Sequence, residues 1–279
     1  MNDIQVHSLP QGSFWQLVCR RRAAKFAFFL LTTIGVLALF GPFFSPHHPS
    51  DIQLAYKNSP PCADFWFGTD ELGRDLFVRV CWGARISLFL GISATLIDAA
   101  AGILWAAIAA HLGGKIETCL MKICDILHSI PYLLLVMMLT LVRGPGLVTL
   151  LVAMTITGWI HMARIVRSHM LQVKQQEYIL SAKALGASSL RIIFCYLIPN
   201  SLGPIITAMT FSIPGAIFTE AFLSFLGLGV QAPAASWGVM ISEGIKAMSF
   251  YPWRLFFPAA SITATTLAFH LLGHAMRPK

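Results

Sequence analysis

ISLFLGISATLIDAAAGILWAAIAA, residues 86–110, holds one ionisable side chain, Asp98, in an otherwise apolar run. A hydrocarbon layer about 30 Å thick is crossed by roughly 20 apolar residues rising 1.5 Å each, so this run is long enough to span it. Comparable runs occupy residues 26–44, 122–142, 147–166, 197–224 and 255–273, with charges, glycines and prolines in the breaks. Backbone exposed to lipid must satisfy its own hydrogen bonds, and these runs are too long and too continuously apolar for barrel strands. The expected fold is therefore an all-α polytopic membrane protein with six transmembrane helices.

Composition agrees. Of 279 residues, 56% are hydrophobic and 11% charged, and the mean hydropathy is +0.70, far from the quarter-charged balance of a water-soluble domain. The net charge of +8 does not point to nucleic acid, because the basic residues sit at the ends of apolar runs rather than on one face. That placement sets topology instead. Six spans put both termini on one side. With the termini in the cytoplasm, Arg20, Arg21, Arg22, Lys25, Lys115, Lys122, Arg164, Arg167, Lys174, Lys183, Arg191, Arg277 and Lys279 lie inside. Lys57, Arg74, Arg79, Arg85, Arg143, Lys246 and Arg254 lie outside, so the positive charge favours this orientation. The chain divides into a cytoplasmic segment 1–25, a first span 26–44, a periplasmic loop 45–81, a five-helix core 82–273 and a short tail 274–279.

The polar lead to Lys25 followed by an apolar run has the outline of a signal peptide, but Gly41-Pro42-Phe43-Phe44-Ser45-Pro46 offers no small-x-small cleavage pattern, so the first span is read as uncleaved. The six cysteines form no CxxC and no Cys/His cluster at metal-site spacing, so no metal is expected. Cys62 and Cys81 flank the outer loop and would share an oxidising compartment, where a disulfide is possible.

Between spans four and five the segment 177–200 reads EYILSAKALGASSLRIIFCYLIPN. Ile179, Ala182 and Leu185 recur at three-residue spacing among Lys174, Lys183 and Arg191, the pattern of an amphipathic helix at the membrane surface. Gly186 permits a bend or a close approach, and Pro199 opens a kinked membrane segment. Two further stretches stand out. FGTDELGRDLFVRVCWGARISLFLG (67–91) suggests a turn at Phe67-Gly68, a helix capped by Thr69 or Asp70, and an intrahelical pair of Asp75 with Arg79. SFLGLGVQAPAASWGVMISEG (224–244) suggests an irregular hairpin at the outer interface, with Trp237 anchored at headgroup depth.

The first of these three segments resembles the cytoplasmic loop of ABC importer permeases, which reads Glu-Ala-Ala, three residues, Gly, nine residues, Ile-x-Leu-Pro. In this sequence Leu180, Ser181 and Ala182 take the Glu-Ala-Ala positions, Gly186 the glycine and Pro199 the closing proline. The leading acid is absent, and Glu177 stands one turn earlier on nearly the same face. The other two stretches resemble signature segments of the smaller permease of the oligopeptide, dipeptide and nickel importers, and together the three cover most of the chain. The resemblance implies the type I ABC importer permease fold, docking of an ATP-binding subunit on the loop 167–196, and transport by alternating access. It thins after span six, where the relatives carry a Gly-Asp-rich tail and this chain reads LGHAMRPK (272–279).

Among the few ionisable groups within the expected spans, Asp98, Glu220 and His270 are the candidates for the translocation path or for a polar contact between helices or subunits. No catalytic residues are assigned, since no HExxH or GxSxG arrangement occurs. Nor does the chain contain a GxxxxGK[ST] phosphate loop, so the resemblance implies that ATP and Mg are used by partner subunits. The implied partners are a second permease, ATP-binding cassette subunits, an extracytoplasmic substrate-binding protein and membrane lipid. Peptide is the expected substrate; nickel or another small solute, and an ion-coupled secondary transporter, are the alternatives.

Overall fold

The computed structural model describes residues 22–276; the expectations for residues 1–21 and 277–279, including the charges at Arg20, Arg21, Arg277 and Lys279, lie outside them. The helices are α1 (Arg22–Phe40), α2 (Leu76–Leu112), α3 (Gly114–His128), α4 (Tyr132–Arg143), α5 (Leu147–Lys174), α6 (Glu177–Ala184), α7 (Ser189–Ile192), α8 (Ile198–Phe225), α9 (Trp237–Ala247) and α10 (Trp253–Met276). A π-helical turn, Ile193–Leu197, joins α7 to α8. Among the described residues, five helical stretches are long and apolar enough to cross a membrane, and a sixth crossing exists if α3 and α4 act as one.

That pair corrects one expected span. Residues 122–142 do not form a straight helix: α3 and α4 meet at a 73° bend. The cause is Pro131, which supplies no N–H and disfavours helical backbone at Ile130, so the chain breaks where the apolar pattern does not.

The centre of the bundle is α2 packed along α5. Small residues at Ala99, Gly102, Ala106 and Ala110 line the facing side of α2, and Met162, Val166 and Met170 of α5 fill the space they leave. A Cβ at Gly102 would lie 2.9 Å from the backbone N of Ala163 and from Trp159 O, so the two backbones approach more closely than any side chain would allow. At the far end of α2 the Lys174 ammonium donates to Ala110 O (2.6 Å) and His111 O (2.9 Å), satisfying carbonyls that the helix terminus leaves open. Arg167 with Glu117, and Arg164 with Asp125 at 2.8 Å, tie α3 to α5 at the same end.

The opposite end carries the loop before α2. Asp75 caps α2, its carboxylate accepting from Phe77 N at 2.8 Å, and so is not the intrahelical partner of Arg79. Asp70 takes that place. Its carboxylate pairs with Arg74 Nε (2.6 Å) and with Arg79, and accepts backbone N–H bonds from Leu72 (2.8 Å) and Arg74 (3.0 Å). All three ionic side chains are buried. Arg79 continues to Glu243 of α9 at 3.2 Å, and Arg254 of α10 reaches Glu71 at 3.2 Å and Asn58 at 3.1 Å. Gly73 turns the loop at φ +74°, where a Cβ would strike the Gln53 carbonyl. The loop is thereby stitched to three helices.

Trp237 also departs from expectation. It is 1% exposed, not at an interface: its indole donates to Val80 O at 2.9 Å, and its backbone N donates to Ser87 Oγ at 3.2 Å. Ser236, not a hairpin turn, precedes it as the cap of α9. Cys62 is exposed and Cys81 buried beneath Gly41, and both are free, so the disulfide open to them is not formed.

Burial raises the Asp70 carboxyl, but the Arg79 and Arg74 charges and the two backbone donors outweigh it, leaving the group below its ordinary 3.8. A carboxyl lowered on folding stabilises the protein above its unfolded pKa, and that contribution is lost as pH falls through the folded value. Thermal unfolding of the purified protein, followed by tryptophan fluorescence, should therefore shift downward as the pH drops below about 4. Asp70→Asn, which leaves two buried guanidinium groups short of a partner, should cost about 3–5 kcal/mol at neutral pH and remove this part of the acid dependence.

Candidate functional site

Segment 177–200 folds as the sequence suggests at its core and differs at its edge. Gln172 to Gln176 turn the chain away from α5, and α6 then lays Ile179 (0% exposed) into the cluster formed by Met170, Val173, Ile192 and Leu197, with Ala182 (8%) also buried. Leu185 does not share that face; it is 88% exposed. Glu177, Leu180, Ser181 and Gly186 are exposed as well, while Pro199 is half-buried inside the first turn of α8.

Gly186 closes α6 in a Schellman motif. Its N–H donates to Lys183 O and the Ala187 N–H to Ala182 O, both at 3.0 Å, with φ of +81° at the glycine. The expected bend is present. Among the described residues, no atom beyond its chain neighbours lies within 4 Å of where a Cβ would stand, so the close approach is not made there. Ser188 then caps α7 by accepting from Arg191 N. The result is a knob whose inner residues are fixed in the bundle and whose outer surface presents Tyr178, Leu180, Leu185, Leu190 and Phe194 beside Glu177, Lys183 and Arg191. Tyr178, Leu180 and Leu185 precede the candidate span Ser189–Phe225, and exposed apolar side chains beside charge at such a place are the features of a protein contact.

The three ionisable residues expected in the spans are not brought together. Glu220 of α8 is fully buried and held by three hydroxyls, Ser236 at 2.6 Å, Ser224 at 2.7 Å and Ser87 at 3.1 Å, which lock α8 to α9 and α2. Its carboxyl makes a polar contact between helices. His270 is exposed on α10, its ring tilted against Phe211 with centroids 5.7 Å apart. Asp98 lines a cavity of about 860 Å³ between α2, α5 and α8, which reaches Tyr132 at the start of α4. Sequence reasoning missed the cavity, because three helices and a bend must be placed before it exists. The one signal was the acid itself, inside an apolar run.

Helix directions follow from these contacts. Gly41 meets Cys81 and Trp253 meets Thr69 at the loop end, whereas Lys174 meets Ala110 at the other. Arg22 and Met276 thus lie at the end that carries segment 177–200, as Ala27 packing on Ala268 and Leu272 also requires.

The family model described as binding-protein-dependent transport system inner membrane component matches residues 102–279, and that of the N-terminal TM domain of oligopeptide transport permease C matches residues 12–61. The dipeptide transport system permease protein DppC of Bacillus subtilis is 49% identical over 264 residues, covering 94% of this chain and 82% of that protein. The oligopeptide transport system permease protein OppC of the same organism is 48% identical, with 99% and 92% covered, and that of Escherichia coli K12 is 36% identical, with 95% and 90% covered. Among solved structures, an inward-facing form of the MetNI methionine ABC transporter superposes with a TM-score of 0.53 at 18% identity, over 72% of this chain and 92% of that one, a likeness of fold. The chain is therefore a multi-pass membrane protein with the permease fold of ABC importers, and it belongs to the family of binding-protein-dependent transport system inner membrane components.

Proposed function

We propose that this chain is one half of the membrane channel of an ATP-driven peptide importer, and that segment 177–200 receives the ATP-binding subunit. The observation that carries the docking assignment is the knob itself: Ile179 and Ala182 anchored in the bundle, Leu180 and Leu185 turned out, and Gly186 bare at the bend. A partner pushing on such a segment acts on α5 and α8 directly, since Val173 of α5 and Ile205 of α8 share its cluster. Those helices wall the cavity, so ATP-driven movement of the partner can exchange inward and outward openings of the bundle. ATP and Mg belong to that partner. A second permease completes the pathway, and an extracytoplasmic binding protein delivers the substrate. Relatives named for dipeptide and oligopeptide transport favour peptide over nickel or an ion-coupled mechanism.

The orientation we propose puts Arg22, Met276 and segment 177–200 in the cytoplasm of a bacterial inner membrane and the loop 45–75 outside. Single-cysteine variants retaining exposed Cys62 or exposed Cys195 test it with a membrane-impermeant maleimide. Cys62 should react in right-side-out vesicles, and Cys195 only in inside-out ones. The opposite pattern inverts the assignment.

Docking is tested by Leu180→Asp and Gly186→Val in the assembled transporter. Leu180 is exposed and Gly186 has open space around it, so both variants should reach normal membrane levels. Valine at φ +81° should strain or reshape the bend. Each should weaken co-purification of the ATP-binding subunits roughly tenfold, the scale of losing an interface anchor, and lower uptake with it. Because Leu180 stands where relatives carry an acid, wild-type docking should change little with added salt. If both variants keep wild-type assembly and uptake, the segment is a linker.

A further inference from the structure

Asp98 and Glu220 are both carboxylates inside the bundle, and they are treated oppositely by their surroundings. Glu220 receives three hydroxyl donors. Asp98 Oδ1 is buried with no hydrogen-bond partner, and no lysine, arginine or histidine forms an ion pair with the residue among the described residues. A carboxylate in a membrane span without a partner is expensive, and such groups are met by something that completes them. Two more oxygens in the same cavity wall are also buried and unpartnered, Thr95 Oγ1 and Tyr132 OH. Thr95 and Asp98 stand three residues apart and so share a face of α2.

Room for this carboxylate is built in. A Cβ at Gly158 of α5 would lie 2.8 Å from Asp98 Cγ, so only glycine there leaves the acid its place beside the cavity. The lining contains no lysine or arginine. Asp98 is its only acid, and several of its hydroxyls are already committed: Thr207, Ser212 and Thr219 donate to carbonyls one turn back. Thr157 and His161 are the remaining polar side chains of the lining, and the rest of the wall is apolar. Peptides of varied sequence share few constant groups, and among these the ammonium is the one a lone carboxylate with neighbouring oxygen acceptors selects.

We propose that Asp98, with Tyr132 and Thr95 beside it, is a way-station for the ammonium group of the passing peptide and sets the preference of this half-channel for substrates with a free amine. The inference rests on the peptide reading above. The ammonium can be the amino terminus or a lysine side chain, and the substrates below separate the two.

The full transporter, with its second permease, ATP-binding subunits and binding protein, is reconstituted in vesicles and supplied with binding protein loaded to saturation, verified by titration for each peptide. The substrates are trialanine, N-acetyl-trialanine and N-acetyl-Ala-Lys-Ala. Asp98→Asn should slow trialanine uptake about tenfold, the scale of one charge-assisted hydrogen bond, and leave N-acetyl-trialanine at its wild-type rate. Asp98→Glu should restore most of the trialanine rate, and Tyr132→Phe should give a smaller loss with the same selectivity. Slowing of N-acetyl-Ala-Lys-Ala by Asp98→Asn extends the site to side-chain ammonium; an unchanged rate confines it to the amino terminus. Equal slowing of all three peptides, or of none, would overturn the site, equal slowing meaning that Asp98 serves packing or pairs with the second permease. If the wild-type transporter moves no peptide while its ATP turnover is stimulated by a binding protein carrying another solute, the peptide reading and this site fall together.

Discussion

Everything in this molecule is arranged around the contact in which α2 lies against α5 with no side chain between their backbones at Gly102. Ala99, Ala106 and Ala110 extend the same narrow face, and the larger residues of α5 interlock with it. In lipid the hydrophobic effect supplies no force between two apolar helices, so close packing and polar contacts must hold them. The small residues provide the first; Lys174 on the last carbonyls of α2 provides the second. Without that approach Gly158 would not stand beside Asp98, and α6 would have no cluster in which to seat Ile179.

Polar groups are used sparingly, and their placement separates scaffold from function. At the loop end Asp70, Arg79 and Glu243 form a connected ionic set joining the loop to α2 and α9. In the middle, Glu220 is saturated by serines, which makes it a rivet between α8, α9 and α2. Asp98, about 16 Å further along α2 than Ser87, is left unsatisfied at Oδ1. The two carboxyls thus differ in what their own chain supplies: three hydroxyls for Glu220, no hydrogen bond for Asp98 Oδ1.

Much of the fold was legible in the sequence, because spanning helices announce themselves by composition and the six-passage plan needs little else. The break at Pro131 was hidden in a run that is apolar on both sides of it, although the proline was in plain view. Local rules misassigned Asp75 and Asp70: four-residue spacing favoured Asp75 with Arg79, but Asp75 is occupied in capping α2, and the turn at Gly73 brings Asp70 to both arginines. Trp237 suggested an interface by its residue type, whereas Gly83 and Ser87 on α2 make a slot for it in the interior. In the docking segment the positions of Gly186 and Ala182 were readable from helical spacing. The exposure of Leu185 was not, because the Schellman bend at its C-terminal side rotates it off the buried face. The pairing of Arg167 with Glu117, and the cavity beside Asp98, depend on segments brought together from distant parts of the chain.

The length of α2 has a mechanical consequence. Its 37 residues extend about 55 Å, well beyond a hydrocarbon layer of about 30 Å, and they form one unbroken helix from the capped loop end to the carbonyls gripped by Lys174. Such a rod pivots without bending. A rotation of about 10° around Gly102 carries the loop-end tip about 7 Å and the other tip about 3 Å in opposite directions, given arms of about 39 and 15 Å. Displacement imposed at one membrane face is thus delivered at the other with its sign reversed, so α2 works as a first-class lever whose fulcrum is the glycine contact with α5.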